Sequence, residues 1–287
     1  MNSQHRMVAR VIEPEYVMEG AGVKLRRSIA THTLNYLDPF LLFDHFGSAN
    51  PEDYIKGFPW HPHRGIETVT YIISGVTNHH DSIGNSGSIT AGDVQWMTAG
   101  GGIMHEEMPQ RTEGELKGFQ LWVNLPAKLK MTRPRYQDVL SKTIPEVHRD
   151  DGVTIRVIAG EVGEVQGVVT EIYADPMYLD ITVPPNGSFS QSVMHGHNAF
   201  AYVFEGIGIF GGDAISHPKL VVFGDGDLVE VRTQETPIRF LLVSGKPLNE
   251  PIARYGPFVM NTRQEIEQAL EDLRNGTFVK SERTNLM

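Results

Sequence analysis

The sequence predicts an all-β protein of two antiparallel β-barrel domains with one C-terminal α-helix. Three observations carry that expectation. Segments such as ETVTYIISG, GSITAGDVQWMTAG, LKGFQLWVNL and TIRVIAGEVG are rich in β-branched and aromatic residues, and Gly, Asn, Asp and Pro separate them. Short strands at such close spacing suit a sandwich or barrel, not a sheet with crossover helices. The two halves also look like diverged copies. His61-Pro62-His63 has a counterpart in His195-Gly196-His197, and Gly92-Asp93-Val94 has one in Gly226-Asp227-Leu228. Repetition of anchors about half a chain apart argues for a duplicated domain.

The segment from Pro126 to about Val147 is basic, interrupted by proline and poor in alternation. It reads as the connection between residues 1–130 and residues 145–287. The stretch NTRQEIEQALEDLRNG reads as the helix that ends the second domain. Thr262 and Glu265 fit a capping box, Ile266, Ala269, Leu270 and Leu273 form an apolar stripe, and Gly276 fits the stop.

Composition excludes several function classes. The chain of 287 residues carries a formal charge of −10, which argues against binding nucleic acid or an anionic membrane surface. It has no cysteine, so disulfides, iron–sulfur clusters and thiol catalysis are ruled out. The N-terminus lacks the apolar stretch of a signal peptide, and no apolar run suggests a membrane span. The expectation is a soluble, cytoplasmic protein. Phosphate-loop and nucleophile-elbow motifs are absent, and GIGIFGG reads as a hairpin turn.

Four residues dominate the chemistry: His61 and His63 in WHPHRGIETVTY, and His105 and Glu107 in GGGIMHEEMP. Each pair is spaced i, i+2, so on a strand its members share a face. Two adjacent strands would aim three imidazoles and one carboxylate at one point, a first-row transition-metal site with nitrogen and oxygen donors. Open coordination positions would admit substrate or dioxygen, whereas zinc with four protein ligands would be closed and structural. Glu67 follows His63 at even spacing. On an unbroken strand it faces the same way and orients an imidazole or adds a fifth ligand. Gly100-Gly101-Gly102 lets the chain turn into the ligand strand, and Phe58, Trp60, Met97 and Met104 are candidate walls of an apolar pocket. His79 and His80 read as a solvated loop. His195 and His197 have no HxE partner and read as a metal-free relic.

On the stretches GFPWHPHRGIETVTYIISG and GDVQWMTAGGGIMHEEMP, the chain resembles the pirin family of the cupin superfamily. The resemblance covers nearly the whole chain, more weakly in the second half. It departs from the general cupin pattern at Thr98, where proline is usual. The resemblance implies a bicupin with metal in the N-terminal domain only, Fe²⁺ as the usual metal with other divalent ions as alternatives, and ligands His61, His63, His105 and Glu107. It implies a quercetin 2,3-dioxygenase type of enzyme that opens a flavonol with O₂, with Glu107 or Glu67 taking the hydroxyl proton. The alternative it implies is an iron-binding, redox-sensing regulator acting through a protein partner.

Overall fold

The computed structural model describes residues 4–280. Every ladder between its named strands is antiparallel, and the strand paths run open instead of closing. The chain divides into two units, each assembled from separate pieces of sequence.

One unit combines Lys142–Pro247 with Ser28–Pro39 and residues 4–15. Its ten-stranded sheet starts at β1 (Val8–Ile12), which pairs with Lys219–Phe223. Leu179, Ile181, Phe240 and Leu242 are fully buried in its apolar core. Asp180 is buried too, and its charge is met bidentately by Arg239 at 3.0 and 2.7 Å. Burying a carboxylate is tolerated where a guanidinium fork answers both oxygens.

The other unit contains Tyr16–Arg27, Phe40–Ser141 and residues 248–280. Its strands are β2 (Glu15–Glu19), β3 (Val23–Ile29), β4 (Phe40–Ser48), β5 (Phe58–His63), β6 (Ile66–Ser74), β7 (Val76–Asp81), β8 (Ser86–Thr90), β9 (Val94–Thr98), β10 (Ile103–Pro109), β11 (Leu116–Asn124) and β12 (Arg135–Val139). A seven-stranded sheet runs β12-β9-β6-β11-β4-β3-β2, and a four-stranded sheet runs β5-β10-β7-β8. Pro59 and Pro62 are accommodated because β5 is an edge strand, where a missing N–H breaks no ladder.

These units differ from the continuous domains 1–130 and 145–287 expected from sequence. The helix α1 (Arg263–Arg274) packs in the unit of β5 and β10, with Ile266 and Ala269 buried against Phe258, Met260 and Phe278. It has the expected capping box at Thr262 and Glu265. What attracts it is a buried cation: Arg64 donates to Asp272 on α1 at 2.7 Å and lies over the Phe278 ring at 4.4 Å. The stretch expected as a connection also has structure, since β12 pairs with β9.

Gly65 ends the β5 segment. Its φ is +82°, and a Cβ there would collide with the Val259 carbonyl oxygen. Only glycine fits both demands. The chain thereby leaves the four-stranded sheet after His63 and enters the seven-stranded sheet at Ile66.

Candidate metal centre

Strand pairing assembles the site. On β10, Ile103, His105, Glu107 and Pro109 are buried, while Met104, Glu106 and Met108 are only half-buried. That is the period-two pattern of a strand with one inward face. His105 pairs directly with His61 on β5 and with Asp81 on β7. The register then shifts, and Glu107 pairs with Phe58, so β5 carries a bulge at Pro59–Trp60. Bulges re-aim side chains, and here the Pro59 carbonyl comes within 3.0 Å of His61 Nδ1.

A proton on His61 Nδ1 donates to that carbonyl and leaves Nε2 as a lone pair. His61 Nε2 points at His63 Nε2, 3.1 Å away. Two nitrogens each about 2.1 Å from one ion, at a right angle to it, would lie about 3.0 Å apart. The third ring, His105, has its centroid 4.4 Å from His61 and 5.1 Å from His63. Ligand atoms of all three fall within 4.8 Å of one another. Both ring nitrogens of His105 are buried and have no hydrogen-bond partner among the described residues. Burial, with the neighbouring imidazoles second, holds His63 and His105 well below the usual histidine range. They are neutral at pH 7, as metal ligation requires. Converging neutral nitrogens with an orphaned ring fit a divalent transition ion.

Glu107 shares the inward face of β10, but its carboxylate lies outside that group of three imidazoles. Its Oε1 accepts from the Thr70 hydroxyl at 2.9 Å, and Thr70 Oγ1 is 2.7 Å from Gln120 Oε1. One hydroxyl proton serves only one acceptor. When Thr70 donates to Glu107, the Gln120 amide must turn its NH₂ toward Thr70.

The cavity in front of the imidazoles has a volume of ≈ 500 Å³. His61, His63, Thr70, Glu107, Gln120 and Trp122 line the end at the site, with Phe58, Leu25, Leu42 and Phe46 as apolar wall. Arg27, Asp44, Glu19 and Arg254 line it as well. Arg27 holds Asp44 bidentately at 2.8 and 2.6 Å and Glu19 at 2.6 Å. Burial raises the Asp44 carboxyl to about 6, and Arg27 counteracts that rise.

Glu67 is a correction to the sequence reading. The strand that would have placed it beside His61 and His63 is broken at Gly65. Along β6 and β11, Thr70 pairs with Gln120 and Thr68 with Trp122, and Thr70, Gln120 and Trp122 line the cavity. Alternation puts Glu67, paired with Val123, on the opposite face. There it accepts from the Thr98 hydroxyl at 2.7 Å, fully buried, and burial pushes its carboxyl up to about 7.

Other expectations change as well. Of the four suggested pocket walls only Phe58 lines the cavity. Trp60 is 45% exposed, Met97 is buried core and Met104 packs against the α1 cluster. His79 is not in a solvated loop. It is buried on β7, paired with Glu107 in register, its ring stacked on Tyr136 at 5.9 Å. The alternation Thr77, His79, Asp81 was the available signal. His195 and His197 pair with carboxylates instead of converging: His195 with Asp225 and Asp227 at 3.4 and 3.6 Å, His197 with Asp175 at 3.7 Å. No helix among the described residues is long and apolar enough to cross a membrane.

Antiparallel sheets in two units, with imidazoles converging on the cavity of one, define a two-domain cupin-type protein with a site for a divalent metal ion. The pirin family profile matches residues 22–123, and the profile of the pirin C-terminal cupin domain matches residues 178–279. Human pirin is 43% identical over 284 residues, covering 96% of this chain and 94% of its own. A pirin-like protein of Solanum lycopersicum is 45% identical over 279 residues, covering 96% and 93%. A crystal structure of quercetin 2,3-dioxygenase from Acinetobacter baumannii is 34% identical with a TM-score of 0.88, covering 96% and 98%. The chain belongs to the pirin family.

Proposed function

We propose that this protein is an iron-dependent dioxygenase of the quercetin 2,3-dioxygenase type, with His61, His63, His105 and Glu107 as metal ligands. The observation that carries the reading is the opening of His61 and His63, with Glu107 beside them, into a cavity of ≈ 500 Å³. A structural metal needs no such cavity, and a planar aromatic substrate does. The similarity to the A. baumannii quercetin 2,3-dioxygenase supports the same reaction class.

A bound divalent ion supplies Lewis acidity toward a substrate hydroxyl and a redox partner for dioxygen. The chain's own residues do the rest. His61 is oriented by the Pro59 carbonyl, and the neutral His63 and His105 keep their lone pairs for ligation. Trp122, edge-on to His63 at 5.1 Å, offers a ring against which a flavonol lies. The apolar wall of Leu25, Leu42 and Phe46 excludes water. Glu107, oriented by the Thr70 hydroxyl that donates to its Oε1, takes the flavonol hydroxyl proton.

The test is anaerobic loading with Fe²⁺, removal of free metal, then quercetin and oxygen. Loss of the flavonol absorption band well above the rate with free iron, and its absence in His105→Ala, is expected. A loaded site with no turnover would overturn the assignment.

A further inference from the structure

One guanidinium in the cavity has no carboxylate at ion-pair distance among the described residues, and Asp44 and Glu19 act on it only from further off. Arg27 is fully engaged by Asp44 and Glu19. Arg254 also lines the cavity, and no carboxylate of the described residues lies within 4.0 Å of it. Its donors reach only main-chain oxygens, Nη1 to Leu41 at 3.1 Å and Nε to Gly256 at 3.3 Å. Its guanidinium carbon lies 5.0 Å from the centre of the Trp122 ring, and Trp122 in turn meets His63 at 5.1 Å. Metal side, aromatic platform and guanidinium thus follow one another along a single wall.

Charge points the same way. Arg27 is consumed by its bonds to Asp44 and Glu19, whereas Arg254 donates to main-chain oxygens and keeps its charge available to a ligand. A guanidinium that lines a low-dielectric cavity with no carboxylate at ion-pair distance favours an anion beside it. A guanidinium matches the flat, two-oxygen edge of a carboxylate better than any neutral group does.

We infer that Arg254 and Trp122 form a recognition wall for an aromatic ligand bearing an anionic substituent, a carboxylate or a phenolate. Trp122 meets the ring and Arg254 pairs with the anion. The inference rests on the aromatic-ligand reading of the cavity proposed above, but it concerns binding and not turnover.

Calorimetric binding of 2-naphthoate and its neutral isostere 2-naphthamide tests it, without oxygen or any substrate. The intact protein is used both metal-loaded and stripped with a chelator, because a carboxylate also binds metal directly. The expected result is a preference of about tenfold or more for naphthoate that survives metal removal. Arg254→Gln should bring the two affinities to within about twofold, and Arg254→Lys should retain part of the preference. Trp122→Leu should weaken both ligands and leave their ratio unchanged. Equal affinities in the stripped wild-type protein would overturn the inference, even if Arg254→Gln failed to fold. A preference intact in folded Arg254→Gln would overturn it too. Failure of quercetin turnover, with the naphthoate preference present, would sink the dioxygenase assignment and leave this one standing.

Discussion

Arg64 Nη1 lies 2.7 Å from Asp272 Oδ2, which joins the residue after the His61–His63 pair to a helix 208 positions later. Arg64 also donates to the Phe278 carbonyl at 3.1 Å. Lys280 meets the same Asp272 oxygen at 2.9 Å. The C-terminal segment therefore clamps the turn that delivers two of the three imidazoles.

Breaking the clamp should cost stability and metal together. Asp272→Asn leaves the buried guanidinium without its counter-charge, a loss of about 3 kcal/mol. Its weakened hold on the turn should also lower metal affinity. Hydrogen bonds from Lys280, Arg64 and Gln268 hold the Asp272 carboxyl down at about 2 against the cost of burial, which opposes them. A depressed acid adds stability above its unfolded value, lost as pH falls from about 3.8 toward about 2. Acid unfolding monitored by circular dichroism should show this loss in the wild type and not in Asp272→Asn.

Glu67 should show the opposite sign. Its folded value, raised to about 7 by burial, exceeds the ordinary 4.5, so the folded state binds the extra proton between them. Stability from this group is therefore present below about 4.5 and lost as pH rises toward about 7. Glu67→Gln should remove that slope, by up to about 3 kcal/mol at neutral pH. It should keep metal content and quercetin turnover near wild type. A large loss of metal in Glu67→Gln would return Glu67 to the site.

Thr70 and Glu107 should separate by severity. Glu107→Gln should reduce turnover by two orders of magnitude or more, in the range of a lost general base. Thr70→Val should reduce kcat about tenfold with little change in metal content, and Thr70→Ser should recover most of it. Steady-state kinetics on metal-normalised protein reads the difference.

Lys130 is a structural hinge pin behind the site. Its ammonium donates to Gly65 O at 2.8 Å, Asn124 Oδ1 at 2.6 Å and Val259 O at 2.8 Å, all buried. Lys130→Met leaves three acceptors unpaired and should destabilise the fold by about 3 kcal/mol or more. Thermal denaturation of the metal-free protein checks it.

What could be read from the sequence was local. The i, i+2 spacing of His61 and His63 and the inward face of His105 follow from strand geometry, and the capping box at Thr262 and Glu265 is a four-residue signal. Longer-range facts were not legible. Parity from His63 to Glu67 failed because Gly65 breaks the strand, and neither the positive φ nor the proximity of Val259 that requires glycine there is written in the local sequence. The helix could be placed, but not its unit, because Arg64 and Asp272 carry no sequence mark of their pairing. Arg27, Trp122, Gln120 and Arg254 reach one cavity from distant segments, so no window of sequence contains the pocket.

The most direct test of the central claim is the metal content of chelator-free protein, wild type beside His105→Ala, by elemental analysis. The account predicts about one divalent transition ion per chain in the wild type, with iron the ion that supports turnover, and almost none in a folded His105→Ala. Equal metal in both proteins would contradict it, for the ion would then be held somewhere other than the three converging imidazoles.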